Sequence, residues 1–230
     1  MEQQKASKGE SDTQFFIVGD VHGCFNTFRE LVQQHWRPHE ETLIQIGDLI
    51  DRGNFSPETI AMARTLKDRF QDKAIFLKGN HEFEAVLYHE TRLNPGWLDQ
   101  GGSQTLKQYK QNKKSISDDL PWLKALPLCF ETPTLLVSHA GVTETPDPYK
   151  ETNSRGVLWN RTTLKNIGKL QIIGHTPLAG KPEYRSAENV WNIDTGAYRG
   201  NTLTAIRINS VAKVVDIISV PTNQNDFKKS

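Results

Sequence analysis

The sequence is poor in cysteine and contains no long hydrophobic run. Only two cysteines, Cys24 and Cys129, occur among its 230 residues, and they do not form a Cys-x-x-Cys motif. Such a small number argues against a disulfide framework and favours a reduced, cytoplasmic setting. No apolar stretch approaches the roughly 20 residues that a membrane helix requires, and the polar residues 1–13 lack a signal-peptide core. We therefore expect no interaction with a membrane.

The sequence also lacks an excess of charge of either sign. Its 28 Lys and Arg residues almost balance its 27 Asp and Glu residues, for a formal net charge of +1. This balance leaves no basic footprint for nucleic acid, so any attraction to phosphate has to be local. The length suits one domain. We expect that domain at 14–221 with a helical insertion at 82–127, between a disordered tail at 1–13 and a C-terminal tail at 222–230.

What the sequence does contain is five short polar clusters, each directly after an apolar run. Together they hold three aspartates, one asparagine, four of the seven histidines and an arginine. Their glycines allow the backbone to turn sharply. The clusters are 19–23 (GDVHG), 47–53 (GDLIDRG), 79–82 (GNHE), 138–141 (SHAG) and 174–177 (GHTP).

The apolar runs predict strands that alternate with helices in the first part of the chain. Runs at 14–18, 42–46 and 74–78 suit buried strands, and a helix is predicted after each of the first two. This alternation argues for parallel strands joined by crossover helices. Further strands are predicted at 135–138, 171–173, 190–194, 202–208 and 211–220. The C-terminal strands are expected to be antiparallel, so the sequence predicts an α/β fold with mixed sheets flanked by helices.

Clusters that follow parallel strands can converge, because such strands end at the same edge of a sheet. Carboxylate, carboxamide and imidazole groups suit divalent cations, and two adjacent cations form a phosphoryl-transfer site. Asp20 and His22 point the same way, since they are two residues apart in an extended segment, and with Asp48 they would hold one cation. The second oxygen of Asp48 would bridge to the other cation. The predicted ligands are Asp20, His22, Asp48, Asn80, His139 and His175.

Binding of a phosphoryl group also requires positive charge beside the cations. Arg52 lies next to the predicted metal loop and offers a planar fork for two phosphate oxygens. Asn80 is expected to contact the phosphate as well as a cation. Arg161 and Arg155 are alternatives for a second phosphate clamp.

The leaving oxygen needs a proton, and His81 is the predicted general acid because it directly follows a predicted ligand. Asp51 would accept a hydrogen bond from the far nitrogen of His81 and keep the imidazole cationic. A hydroxide bridging the two cations would attack phosphorus directly. No Cys or Ser nucleophile motif competes with this mechanism.

The order of the five clusters resembles that of the PPP family of phosphoprotein phosphatases, within the calcineurin-like metallophosphoesterases. The stretch 158–161 (LWNR) and the pattern of Trp, Gly and Thr residues over 97–109 are similar to those of phage-lambda and bacterial members. The resemblance implies a four-layer α/β/β/α sandwich with mixed central sheets. It also implies two divalent metal ions, with Mn²⁺ expected first and Fe, Zn or Mg as alternatives.

The resemblance implies a metal-dependent phosphomonoesterase that acts on phosphoserine and phosphothreonine in phosphoproteins or phosphopeptides, with phosphotyrosine as a further candidate. The alternative is a symmetrical bis(5'-nucleosyl)-tetraphosphatase, which hydrolyses dinucleoside polyphosphates such as diadenosine tetraphosphate. The symmetrical tetraphosphatases that resemble this chain usually carry alanine at the position of Asp51. The aspartate therefore favours a phosphoprotein phosphatase.

Overall fold

The fold consists of two five-stranded sheets that pack face to face. The computed structural model describes residues 14–92 and 94–227, so the predicted tail at 1–13 lies outside the described residues. The strands are β1 Gln14–Val18, β2 Glu41–Gln45, β3 Ala74–Phe76, β4 Cys129–Glu131, β5 Leu135–Ser138, β6 Leu170–Ile173, β7 Glu183–Arg185, β8 Val190–Asn192, β9 Thr202–Ile208 and β10 Val214–Pro221. The α-helices are α1 Phe25–His35, α2 Ser56–Phe70, α3 Asn80–Thr91, α4 Ser103–Gln111 and α5 Leu120–Ala125.

Both sheets are mixed. The first has the order β10-β9-β1-β2-β3 and the second the order β4-β5-β6-β8-β7. Strands β1, β2 and β3 are parallel, as are β5, β6 and β8, and the remaining pairs are antiparallel. The predicted α/β class with mixed sheets is confirmed. Strands β4 and β7 were not predicted, because three-residue edge strands are too short to show an alternating pattern.

One hydrophobic core lies between the two sheets. Ile17 and Ile44 of the first sheet belong to the same buried cluster as Val137 and Ile172 of the second. The outer face of the first sheet packs against the helices in another cluster. The outer face of the second sheet is covered by residues 142–167, which contain no helix, so irregular chain forms the fourth layer of the sandwich.

Within the expected C-terminal tail at 222–230, residues 222–227 pack against the start of α1. The carboxylate of Asp226, which is fully buried, accepts hydrogen bonds from the backbone N–H groups of Asn26 (3.1 Å) and Thr27 (2.8 Å). The first turn of a helix leaves such N–H groups without partners, and a negative charge there is favourable. Asp226 thus caps a helix 199 residues earlier in the chain, which no local pattern could indicate.

A buried ion pair joins β2 to β9. Glu41 is fully buried and accepts a hydrogen bond from Nε of Arg207, whose guanidinium also donates to Asp216 (2.8 Å). Removing one partner of a buried pair leaves the other charge uncompensated. We expect Glu41→Gln to lower the free energy of unfolding by about 3 kcal/mol, as measured by urea denaturation.

Asp216→Asn is the matched control for this prediction. Asp216 pairs with the same guanidinium, but its side chain is 50% exposed. Exposed ion pairs contribute little, so we expect a change below about 1 kcal/mol. Equal losses in the two variants would contradict the particular importance of the buried partner.

Neither cysteine forms a disulfide in the described structure. Burial raises the pKa of the Cys24 thiol, which favours an unreactive, protonated side chain. Among the helices within residues 14–92 and 94–227, none is long and apolar enough to cross a membrane.

Candidate dinuclear metal site

The five polar clusters meet at one edge of the two sheets. Three follow the carboxyl ends of the parallel strands β1, β2 and β3, and two follow β5 and β6 of the second sheet. All six predicted ligands are 4% exposed or less. The distances between their side chains show which of them share a site.

Several residues of the site have a left-handed backbone conformation. Their φ angles are 46° at His22, 56° at Asp48, 71° at Asp51, 66° at Arg52 and 68° at His175. Residues other than glycine adopt such angles only where the surrounding structure holds them, and these positions cluster at functional sites. Five such residues lie at this one edge of the sheets, which fits a functional site there.

Asp48 lies at the centre of the site. Its Oδ1 accepts a hydrogen bond from the backbone N–H of His81 (3.1 Å). Its Oδ2 lies 3.4 Å from both His22 Nε2 and His139 Nε2. The same carboxylate therefore belongs to two groups of possible metal ligands, one with His22 and His81 and one with His139 and His175. This geometry suits the predicted bridging role.

In the second group, His139 and His175 direct the lone pairs of their unprotonated ring nitrogens towards each other. Nδ1 of His139 lies 3.2 Å from the carbonyl oxygen of Ile46, and Nε2 of His175 lies 3.2 Å from that of Trp159. In the neutral imidazole these nitrogens donate, so the opposite nitrogens are acceptors. Those acceptors lie 3.1 Å apart, and 3.0 and 2.9 Å from Asn80 Oδ1. Converging acceptors without a donor fit a divalent cation.

Asp20 adds a carboxylate oxygen that has no partner. Its Oδ2 accepts a hydrogen bond from the backbone N–H of His175 (3.1 Å), whereas its Oδ1 is buried and unpaired. Asp20 is not part of either tight group of ligand atoms. Burial, together with the negative charges of Asp194 and Asp48, raises the pKa of Asp20 well above its ordinary value. A cation beside these carboxylates would relieve that repulsion.

His81 and Asp51 form a fully buried pair. Nδ1 of His81 lies 2.7 Å from Oδ2 of Asp51, and its Nε2 has no hydrogen-bond partner. Burial opposes protonation of His81, but the charges of Asp48 and Asp51 outweigh it and raise the pKa of His81 above its usual value. The pair presents one free nitrogen beside the predicted ligands, which suits a general acid.

Arg52 lies beside His22 and stacks on Tyr198. Its Nη1 is 3.3 Å from His22 Nε2, and its guanidinium carbon is 4.5 Å from the centre of the Tyr198 ring. The ring of Tyr198 also packs edge-on against His22, with 5.0 Å between ring centres. Tyr198 was not among the predicted site residues, because an aromatic residue after a strand carries no specific signal in one sequence.

The two alternative phosphate clamps differ in position. Nη1 of Arg161 donates a hydrogen bond to the carbonyl oxygen of His175 (3.2 Å), which places the guanidinium beside a predicted ligand. Arg155 is exposed, and in the described part of the chain its guanidinium makes no hydrogen bond or ion pair. This placement favours Arg161.

Glu82 organises the loop that carries Asp48. Its buried carboxylate accepts hydrogen bonds from the backbone N–H groups of Asp48, Leu49 and Gly79, each at 2.8 Å. Glu82 lies within one of the five clusters, and its bond to Gly79, three residues earlier, follows the spacing of a helix capping box. Its bonds to Asp48 and Leu49 span more than 30 residues, so its role in holding that loop was not predicted. It fixes the position of the central carboxylate.

Fold and site together define a hydrolase of the metallophosphoesterase class. The chain belongs to the calcineurin-like phosphoesterase family, whose model matches residues 13–203. Members of this family use a dinuclear site of divalent metal ions, and the aspartate and histidine groups described above could bind such ions.

Similar proteins include two kinds of phosphoester hydrolase. Serine/threonine-protein phosphatase 1 of Salmonella typhimurium is 29% identical, over 84% of this chain and 91% of that protein. The asymmetrical bis(5'-nucleosyl)-tetraphosphatase PrpE of Bacillus subtilis is 28% identical, over 92% of this chain and 98% of that protein. A serine/threonine phosphatase structure from Saccharomyces cerevisiae shares the fold, with a TM-score of 0.69 and 17% identity over 94% of this chain and 82% of that one. The similarities support phosphoester hydrolysis and are about equal for the two substrate classes.

Proposed function

We propose that this protein is a metal-dependent phosphomonoesterase that dephosphorylates phosphoserine and phosphothreonine in proteins or peptides, with phosphotyrosine as a further substrate. The observation that carries the proposal is the buried His81–Asp51 pair, whose free Nε2 faces the group of predicted ligands. An alkoxide that leaves from phosphoserine is a much stronger base than the phosphate group of a leaving nucleotide. It therefore gains more from a positioned proton donor.

The predicted ligands divide between two cations that share Asp48. Mn²⁺ is the first candidate, with Fe, Zn and Mg as alternatives, because this mixed oxygen and nitrogen donor set suits several cations. When bound, the cations supply positive charge to the phosphoryl oxygens and lower the pKa of the attacking water. One cation would be held by Asp20, His22 and Asp48, and the other by Asp48, Asn80, His139 and His175.

The other residues bind the phosphate and deliver the proton. Arg52 and Arg161 lie on either side of the predicted ligands, next to His22 and His175, and would each donate to phosphate oxygens. Asn80 would contact the phosphate as well. His81 would give the proton on Nε2 to the leaving oxygen while Asp51 holds Nδ1.

Parallel assays on a phosphoserine peptide and on diadenosine tetraphosphate test this function. We expect kcat/KM for the peptide to be at least about tenfold higher, because a positioned acid offsets the poor leaving group of the phosphomonoester, for which we propose that this site is built. Activity should disappear when a chelator is added and return with Mn²⁺. Parallel assays with Mg²⁺ and with Zn²⁺ would show how well each metal supports activity. Failure of the metal-loaded protein to release phosphate from any phosphomonoester would refute the proposal.

Hydrolysis of a dinucleoside tetraphosphate is the second candidate, favoured by the similarity to the Bacillus subtilis enzyme over nearly the whole chain. A higher kcat/KM for diadenosine tetraphosphate than for the peptide would select it. The products would then show the cleavage type, since symmetrical cleavage yields two ADP and asymmetrical cleavage yields ATP and AMP.

A further inference from the structure

The carboxylate of Asp51 is held by the helical segment that follows α3, in addition to His81. Its Oδ2 accepts a hydrogen bond from Nε1 of Trp97 (2.7 Å), and its Oδ1 accepts one from the hydroxyl of Thr105 (2.6 Å). With His81 Nδ1, also at 2.7 Å, the carboxylate has three short hydrogen bonds. All four side chains are fully buried. The plane of the carboxylate is therefore defined by donors on both of its oxygens.

The backbone of Asp51 is tied to the same segment. Its N–H donates to the hydroxyl of Ser56 (3.0 Å), which in turn lies 3.2 Å from the hydroxyl of Thr105. Gln108, one turn further along α4, accepts a hydrogen bond from the N–H of Ser56 (2.8 Å). The main chain and side chain of Asp51 thus belong to one polar network. Its members Trp97 and Thr105 stand 46 and 54 residues from Asp51 in the sequence, and Ser56 stands at the start of α2.

Two glycines allow the helical segment after α3 to approach Asp51 this closely. Gly101 has φ 122° within a π-helical turn, and a Cβ there would lie 2.7 Å from the backbone N of Arg52 and 2.9 Å from Cβ of Asp51. A Cβ on Gly102 would lie 2.5 Å from the indole ring of Trp97. The turn is therefore shaped to place the indole N–H on the carboxylate.

We propose that Trp97 and Thr105 are positioning residues for the acid step: they fix the carboxylate of Asp51 so that it aims Nε2 of His81 at the leaving oxygen. This inference rests on the proposed function, in which His81 protonates the leaving group. In this role the helical segment assists one class of reaction, which is the hydrolysis of phosphate esters that have strongly basic leaving groups. Alkyl phosphates such as phosphoserine and phosphothreonine belong to that class.

Substitutions can separate the hydrogen bonds from packing. Trp97 also packs against Tyr88 and His89, with ring centres 5.2 and 5.7 Å apart, so Trp97→Phe keeps an aromatic ring while removing the N–H. Thr105→Val keeps the shape of the side chain and removes the hydroxyl. Thr105→Ser keeps the hydroxyl.

The dependence of rate on the leaving group tests the inference. We expect Trp97→Phe and Thr105→Val to lower kcat for a phosphoserine peptide by about 10–100-fold, since loss of an orienting contact has effects of that size. For 4-nitrophenyl phosphate, whose leaving group needs no acid, the loss should stay below about threefold. Phenyl phosphate should fall between them. Thr105→Ser should recover most of the activity that Thr105→Val loses on the peptide.

Two controls separate positioning from general stability. In a His81→Ala background, Trp97→Phe should have no further effect on peptide hydrolysis, because no acid remains to be positioned. Trp36→Phe removes another buried indole N–H, one without a hydrogen-bond partner, and should leave the leaving-group dependence unchanged.

Equal losses on all three substrates, or an undiminished effect of Trp97→Phe in the His81→Ala background, would overturn the inference and leave the proposed function intact. Failure of the proposed function would give a different result, because the metal-loaded wild-type protein would then hydrolyse none of the three substrates. If Trp97→Phe does not fold, the comparison of Thr105→Val with Thr105→Ser decides whether the hydroxyl positions Asp51.

Discussion

Replacing Asp48 by asparagine will remove metal-dependent hydrolysis from a protein that remains folded. Oδ2 of Asp48 faces both His22 and His139 at 3.4 Å, so one carboxylate serves both groups of possible ligands. An amide nitrogen in its place carries no negative charge and no lone pair for a cation. Asparagine tolerates the left-handed backbone of position 48 (φ 56°), and its oxygen can still accept the N–H of His81.

The expected loss in kcat/KM is on the order of 10³-fold or more, because the variant loses the carboxylate that we propose to be shared by both cations. The measurement combines phosphate release from a phosphopeptide with the metal content of the purified protein and a thermal melt. Asp147→Asn is the matched control, since Asp147 is exposed and also has a positive φ (48°). Full activity of the metal-stripped Asp48→Asn variant would refute the bridging role.

His81→Ala should lower kcat for a phosphoserine peptide by about 10²–10⁴-fold, the usual contribution of a positioned general acid. The imidazole is fully buried, with Nδ1 bonded to Asp51 and Nε2 without a hydrogen-bond partner, so its removal takes away the proposed proton donor. Metal content should change little, because the six predicted ligands remain.

Rates with a phosphoserine peptide and with 4-nitrophenyl phosphate measure this effect. The loss should be much smaller for the nitrophenyl ester, since its leaving group is stable without a proton. His39→Ala removes an exposed histidine that belongs to none of the five clusters and serves as the control. A variant that hydrolyses the peptide at the wild-type rate would show that His81 is not the acid.

Much of the framework could be predicted because it depends on local patterns. Strands at 14–18, 135–138 and 202–208 have the predicted bounds, since continuous burial leaves a readable apolar run. The polar clusters after such runs were expected to converge, and the side chains of Asp48, His139 and His175 indeed lie in contact. That expectation followed from a general rule for parallel strands.

Contacts between distant segments could not be predicted in the same way. Trp97 and Asp51 are 46 residues apart, and Asp226 and Thr27 are 199 apart, so neither contact leaves a period or spacing in the chain. The two candidate clamps, Arg155 and Arg161, are both arginines in one loop and differ only in what they reach in space.

The amino-acid sequence alone determined the class of chemistry, because the types of side chain after each strand decide which ions and groups they can bind. Tertiary structure decided which of them act together. A hydrogen bond needs two groups within about 3 Å in a suitable direction, and for residues far apart in the chain only the packing of whole sheets and helices sets that distance. The hydrogen bonds that Trp97 and Thr105 donate to Asp51 are the clearest case.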